Sequence, residues 1–173
     1  MKNTNRLNLR NVVVIAICLA GLSATVISVS AQPRAIGGRV SWGFDVSYQH
    51  GFGERNMLQI DVGVPAFYFG IQAVGTYNWL FPISSWKHAG SWNWYIGVGA
   101  GGGVYAFVGP FFAGVAGQLG IEYNFKIPLQ LSLDFRPVVG PTFTRYGIDH
   151  YLNVQGFLFG GAALSVRYKF KKM

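Results

Sequence analysis

Cysteine is almost absent from this sequence, with Cys18 as the only one among 173 residues. A chain with one thiol has no disulfide framework and no zinc site built from cysteines. Charged residues are also scarce at 12%, whereas 51% of the residues are hydrophobic. This balance excludes a disordered chain, and the length suits a single folded domain.

Acidic side chains are the rarest charged class, with six against 14 lysines and arginines. A basic start with Lys2, Arg6 and Arg10 precedes an apolar stretch over residues 12–20. The small-residue site Val29-Ser30-Ala31 follows, and together these features predict a secretory signal peptide that is cleaved after Ala31. A retained membrane anchor is the alternative, but serines and a threonine leave the strongly apolar run too short to span a bilayer. The predicted domains are a signal peptide over residues 1–31 and a mature domain over residues 32–173.

Removal of the leader also removes Cys18, so the mature chain has no thiol. The net charge falls from +8 to +5 because three basic residues are lost. The remaining basic residues are scattered in the sequence, apart from Lys169, Lys171 and Lys172 at the end. Nucleic-acid binding requires a basic patch with exposed aromatic residues, so we expect no nucleic-acid partner and interpret the basic end as a solvated tail.

The mature chain alternates between apolar and polar residues with a period of two. Residues 129–136 show it most sharply, because leucines and a phenylalanine alternate with Gln130, Ser132, Asp134 and Arg136. The same alternation is present in residues 58–64, 111–125 and 158–170. A period of two predicts β-strands rather than helices.

Charged residues in these strands fall on the polar face, and the apolar face has none. The charges assigned to the polar face are Arg39, Asp45, Asp61, Glu122, Asp134, Arg136 and Arg167. Aromatic residues of the apolar face gather at the strand ends, as in the two girdles of a transmembrane barrel. Only a closed sheet satisfies every backbone polar group in lipid. We therefore predict an all-β chain that forms an antiparallel up-and-down transmembrane β-barrel, with the seven charges as an ion-pair network in its lumen.

Eight strands are predicted, and their number sets the width of the barrel. They lie near residues 35–43, 44–51, 56–64, 68–80, 92–106, 111–125, 127–136 and 157–170. Proline cannot occupy a strand that is paired on both sides, so Pro137 and Pro141 predict that the seventh strand ends near Arg136. An even strand number puts both termini in the periplasm, and residues 141–155 are predicted to form a long external loop.

Glycines at the spacing G-x-G-x-x-G, namely Gly97, Gly99 and Gly102, raise the alternative of a dinucleotide-binding loop. That motif needs a helix after the glycines, and residues 104–110 contain no helix start. Strand parity instead points Gly97 and Gly99 into the lumen, where they make room for larger side chains such as Tyr95.

A helical membrane protein is a second alternative, because no Asp, Glu, Lys or Arg occurs between Lys87 and Glu122. Nine glycines lie between Gly97 and Gly120. Each interior glycine disfavours a helix by about 1 kcal/mol, so the strand interpretation is preferred.

The leader, the eight strands with inward charges and the terminal alternation resemble small outer-membrane barrels of Gram-negative bacteria, of the type of outer-membrane proteins A and X. The terminal alternation consists of Leu164, Val166, Tyr168 and Phe170. Residues 47–50 and 120–134 are similar to uncharacterised small barrels of Bacteroidota. The resemblance implies an outer-membrane location, contact with membrane lipid including lipopolysaccharide, and an assembly signal in the last strand that the barrel-assembly machinery reads.

For function, the sequence predicts a non-enzymatic barrel with a structural or surface-interaction role, a lumen plugged by side chains and an unknown external partner. The alternatives are a lipid A-modifying enzyme, either a deacylase or an acyltransferase, and a narrow porin-like pore. The histidines are His50, His88 and His150, and only His150 is expected outside, in a segment without serine. No nucleophile and base are paired there, and no ligand-spaced histidines occur, so no catalytic, metal or cofactor residues are assigned.

Overall fold

The structure is a computed structural model, and it describes residues 31–65, 70–86, 90–105, 110–144, 147–155 and 161–170. All regular elements in these ranges are β-strands. No helix in the described ranges has the length and apolar character to cross a membrane. The predicted signal peptide lies outside the described residues, except for Ala31.

Ten strands are present in the described ranges. They are β1 (Ala31–Val40), β2 (Gly43–Phe52), β3 (Asn56–Pro65), β4 (Gly70–Pro82), β5 (Gly90–Tyr105), β6 (Phe111–Phe125), β7 (Leu129–Phe135), β8 (Val138–Thr144), β9 (Gly147–Gln155) and β10 (Ala162–Lys169).

Eight of these strands close into an antiparallel barrel. Strands β1 to β6 pair in sequence order, β6 pairs with β7, β7 with β10, and β10 returns to β1. Strands that follow one another in the sequence are therefore paired in the sheet, except that β8 and β9 lie between β7 and β10 in the sequence. The predicted all-β, eight-stranded, up-and-down barrel is therefore confirmed.

The segment between β7 and β10 has a different structure from the predicted one. β7 ends beside Arg136, as expected, but the predicted loop over residues 141–155 is wrong. Strand β8 pairs with β6 beyond the break and β9 pairs with β8, so the segment is a hairpin. Pro141 lies inside β8, where the register shifts between Gly140 and Thr142. Proline lacks an N–H group, and the ladder leaves out Pro141 on β8 and residues 150–152 on β9 before it resumes.

Short turns mark one end of the barrel. Residues 53–55 join β2 to β3, and residues 126–128 join β6 to β7. Gly53 has φ 70°, a left-handed conformation that glycine adopts without steric strain. We call this the turn end, and we call the opposite end, which carries the β8–β9 hairpin, the loop end.

Side chains alternate between the two faces of the wall. Outward residues are exposed and apolar, with Val115 at 69%, Val98 at 59% and Leu133 at 56%. Inward residues are polar and buried, with Gln59 and Glu122 both at 0%. The core of this molecule is therefore the lumen, and most of its buried side chains are polar.

Candidate functional site

The polar lumen contains all seven charges that the sequence assigns to it, and none is more than 5% exposed. They are Arg39, Asp45, Asp61, Glu122, Asp134, Arg136 and Arg167. Six of them occupy buried positions of the alternating strands, and Arg136 continues the same alternation one residue beyond the end of β7. They separate into an aspartate cluster, a glutamate site and a lone arginine.

The aspartate cluster joins two arginines to three acids. Arg39 donates Nη1–H to Asp45 Oδ2 at 3.1 Å and Nη2–H to Asp134 Oδ1 at 2.8 Å. Arg136 forms an ion pair with Asp61 and lies 3.8 Å from Asp45 Oδ2. Each arginine thus bridges two carboxylates on different strands. The cluster ties together wall segments that are not adjacent in the sheet.

Glu122 is the acceptor at the centre of a second group. Its carboxylate accepts hydrogen bonds from Asn93 at 2.8 Å, Asn124 at 2.9 Å and Gln130 at 2.9 Å. Arg34 completes the site with an ion pair, and its Nη1–H reaches Glu122 Oε2 at 3.1 Å. The buried carboxylate is therefore satisfied by one cation and three amides.

Arg34 was missed by the sequence analysis, and a β-bulge explains why. Strict alternation would put Arg34 on the opposite face from Ala35 and Arg39. In the structure the register with β2 shifts between Pro33 and Ala35, so Arg34 is the extra residue in β1. A bulge redirects one side chain, and here it turns a guanidinium inward. Pro33 is the only local signal that strict pairing is interrupted.

Arg167 departs from the expectation that every lumen charge has a charged partner. Its guanidinium donates to the hydroxyls of Ser47 at 2.8 Å, Ser132 at 2.7 Å and Ser165 at 3.1 Å. No carboxylate in the described residues forms an ion pair with it. Gln130 links it to the glutamate site, since its amide oxygen accepts from Arg167 at 3.4 Å while its nitrogen donates to Glu122.

Among the residues that the structure describes, the buried charges of the lumen and Arg34 sum to zero. Four arginines (Arg34, Arg39, Arg136 and Arg167) face four acids (Asp45, Asp61, Glu122 and Asp134). The aspartate cluster carries one excess negative charge, which balances Arg167 across the serine hydroxyls. Neutrality at this scale lets charges remain inside a low-dielectric wall without a bound counter-ion.

Two apolar layers complete the filling of the lumen. Met57, Leu80 and Tyr95 form one buried cluster. Val74, Phe112, Ala116 and Val138 form another at the loop end. The Tyr95 hydroxyl donates to Asp134 at 3.3 Å, which connects the first layer to the aspartate cluster.

The glycines of β5 lie inside a continuous strand, so the dinucleotide-loop alternative is excluded. A Cβ atom on Gly97 would meet the Asn78 side chain, and one on Gly120 would meet the ring of Tyr95. The expected role of these glycines as space for inward side chains is visible most directly at Gly120. Tyr95 is fully buried and fills the volume that Gly120 leaves.

We expect Gly120→Ala to lower the free energy of unfolding by about 1–3 kcal/mol, because an added methyl overpacks a full lumen. Gly117→Ala is the matched control on the same strand, since a Cβ there would have no heavy atom within 4 Å. Urea titration of both variants in lipid vesicles measures the difference. Equal stability of the two variants would show that Tyr95 can move aside.

Aromatic side chains form a belt around the outside at the turn end. Phe81 stacks on Trp94 with centroids 4.3 Å apart, and Trp92 contacts Tyr123 at 4.7 Å. The aromatic belt consists of Tyr77, Trp79, Phe81, Trp86, Trp92, Trp94, Tyr123, Phe125, Tyr168 and Phe170. At the loop end, Phe111 contacts Phe143 at 5.9 Å, and Phe44 is exposed.

No group of metal-ligating side chains is present in the described ranges. The Tyr48 hydroxyl lies 2.9 Å from Nδ1 of His50, whose ring packs 5.2 Å from Phe52 on the outer face. His88 and the side chain of His150 fall outside what the structure describes. His50 therefore belongs to the aromatic surface of the turn end.

Fold and interior together define the class of this protein: a closed eight-stranded antiparallel β-barrel with an apolar outer wall and a charged, side-chain-filled lumen. No protein-family model, curated protein or solved structure matches the chain.

Proposed function

We propose that this barrel resides in the bacterial outer membrane and has a non-enzymatic structural or surface-interaction role, with its lumen plugged by side chains. The observation that carries this proposal is the inverted polarity of the wall. Outward positions are apolar, whereas the charged residues of the strand interiors face inward. Such polarity matches a surrounding solvent of lipid rather than water.

The size of the apolar outer surface supports a lipid surrounding. Exposed aliphatic residues occur on every strand of the closed barrel, and monomeric soluble proteins rarely expose contiguous apolar patches above a few hundred Å². Closure of the sheet also leaves no barrel strand with an unpaired edge along its shared length. In hydrocarbon an unpaired backbone group costs several kcal/mol, so closure is the arrangement that lipid requires.

The last strand supports a role in assembly. Leu164, Val166, Tyr168 and Phe170 all lie on the outer face, and each is at least 41% exposed. We propose that this stripe is the signal for the barrel-assembly machinery. Because β1 begins and β10 ends at the turn end, we propose that this end faces the periplasm and that the β8–β9 hairpin meets lipopolysaccharide or an external partner.

A plugged lumen is favoured over a narrow pore by the packing of the interior. The aspartate cluster, the glutamate site and two apolar layers fill a barrel whose eight strands leave space for side chains only. An ion would have to break arginine–carboxylate pairs in order to pass.

We expect the protein to fold into phosphatidylcholine vesicles and to migrate differently on a gel before and after boiling, because a closed hydrogen-bonded barrel resists detergent. In planar bilayers the folded protein is expected to show no steady single-channel steps. Gel mobility reports insertion as a barrel, and current recording reports the state of the lumen.

Identical migration of boiled and unboiled samples would contradict a membrane barrel. Steady, ion-selective steps would contradict the plug and support the pore. A changed acyl pattern of lipid A in cells that carry the protein would instead support the enzyme alternative.

A further inference from the structure

Lys169 ends strand β10 at the turn end, on the inward side of the strand. It continues the row of Ser165 and Arg167, which are buried, and it is half-buried itself. Strand β7 lies between β10 and β6, and the Lys169 side chain spans the start of β7, where Nζ donates to the backbone oxygen of Phe125 at 2.8 Å. No carboxylate in the described ranges forms an ion pair with Lys169. Its ammonium group therefore lies at the opening of the lumen without an acidic partner from the described residues.

The inward acid at this end, Glu122, has no free acceptor position for Lys169. Its two carboxylate oxygens accept five hydrogen bonds, two from a guanidinium and three from amides. A carboxylate offers about four lone-pair sites, so these donors already occupy it fully. An ammonium group has three N–H donors, and the bond to Phe125 uses one of them. Lys169 therefore keeps N–H donors that a ligand from the aqueous side can use.

The described charges at this opening have a positive excess. The buried lumen charges and Arg34 sum to zero, which leaves Lys169 and Lys126 over. Lys126 is exposed and begins the β6–β7 turn, to which the Lys169 side chain reaches. On the β2–β3 turn, Arg55 and Glu54 have opposite charges and cancel. We call the opening bordered by Lys169, Arg34 and Lys126 the turn-end mouth, and its excess is two positive charges.

The turn-end mouth is open to water. The side chain of Arg34 is 23% exposed, whereas that of Glu122 beneath it is 0% exposed. The strands of Arg34 and Lys169 are neighbours, because Ala35 pairs with Lys169 and the N–H of Phe170 donates to the backbone oxygen of Arg34 at 3.0 Å. A solute can therefore contact both cations without breaking an ion pair of the lumen.

We propose that the turn-end mouth binds a phosphate group, held by Lys169 and Arg34, with Lys126 adding charge from the adjoining turn. A phosphate monoester has a charge of about −1.5 to −2 at neutral pH and three strong acceptor oxygens, which complement the excess of two positive charges. Lysine binds phosphate as a point charge, and a guanidinium adds donors of fixed geometry. The inference goes beyond the proposed function and does not depend on the membrane location, because Lys169 and Arg34 are inward residues.

Phosphorus NMR tests the site directly. The protein is folded into alkyl maltoside micelles, which contain no phosphorus, and it is titrated into inorganic phosphate while the width of the phosphate resonance is measured. We expect saturable broadening, and we expect Lys169→Gln to weaken binding about tenfold, the factor that corresponds to about 1.4 kcal/mol. Lys169→Arg keeps the positive charge and should retain most of the affinity.

Two variants on exposed turns test the position of the site without altering the lumen. Lys126→Gln removes a charge beside the mouth and should weaken phosphate binding about twofold, as expected for an exposed charge. Arg55→Gln is the matched control, since it removes an exposed cation of the same end from the β2–β3 turn and should leave the affinity unchanged. Gel mobility before and after boiling shows that each variant is folded.

A second titration with short-chain phosphatidic acid identifies the source of the phosphate group. Equal affinity for inorganic phosphate and phosphatidic acid supports the site with a soluble ligand. Tighter binding of phosphatidic acid that is also lost in Lys169→Gln supports the same site with a lipid headgroup as its ligand.

The inference is overturned if the folded protein shows no saturable binding of either compound. It is also overturned if Lys169→Gln binds phosphate as tightly as the unmodified protein, or if Arg55→Gln loses as much affinity as Lys169→Gln does.

Discussion

Replacing Arg39 with methionine is expected to lower the free energy of unfolding by about 3–5 kcal/mol, the penalty for leaving a buried charge without its partner. Arg39 is 2% exposed, and it donates from Nη1 to Asp45 and from Nη2 and Nε to Asp134. Among the described residues, the hydrogen bond that Asp134 then retains is the longer one from Tyr95 at 3.3 Å. Urea unfolding in lipid vesicles, followed by tryptophan fluorescence, measures the change.

Two controls separate lost charge pairing from lost volume. Arg39→Lys keeps a cation, but a single ammonium group cannot donate to Asp45 and Asp134 as the arginine nitrogens do. An intermediate loss of unfolding free energy is therefore expected. Combining Arg39→Met with Asp134→Asn removes the stranded charge and should recover part of the stability. If the double variant is as unstable as the sum of the single variants, the two residues are not coupled and the cluster does not brace the wall.

Most of the fold follows from one feature of the sequence, the alternation with period two. It determines which side chains share a face, so it locates Asp61 and Asp134 in the lumen without knowledge of the pairing. Predicted strand limits agree with the structure to within a few residues for the first six strands. The alternation does not predict which charged residues form ion pairs. Partners such as Arg39 and Asp134 are far apart in the sequence and come into contact only when the barrel closes.

The features missed are those where a local irregularity overrides the alternation. The bulge before Ala35 turns Arg34 inward, and the ladder skips Pro141 but continues on both sides of it. Both effects depend on backbone pairing rather than on side-chain pattern.

Glu122→Ala is expected to produce a loss as large as that of Arg39→Met, about 3–5 kcal/mol, because it breaks an ion pair to a fully buried carboxylate and leaves three amides without their acceptor. The carboxylate is 0% exposed, so water in the intact lumen cannot replace it. Glu122→Gln keeps the volume and one amide oxygen as acceptor, and a smaller loss is expected. Urea titration of both variants in the same vesicles gives the comparison.

The contribution of the ion pair itself is measured by a double-mutant cycle with Arg34. Arg34→Gln leaves a buried carboxylate held by amides only, whereas Glu122→Gln leaves an arginine whose side chain is 23% exposed and can reach water. Arg34→Gln should therefore destabilise the barrel more than Glu122→Gln does. The double variant has no unpaired charge, and its loss is expected to be about 0.5–3 kcal/mol smaller than the sum of the single losses. Additive losses would mean that the amides of Asn93, Asn124 and Gln130 hold the glutamate alone, and that the bulge at Arg34 serves another purpose.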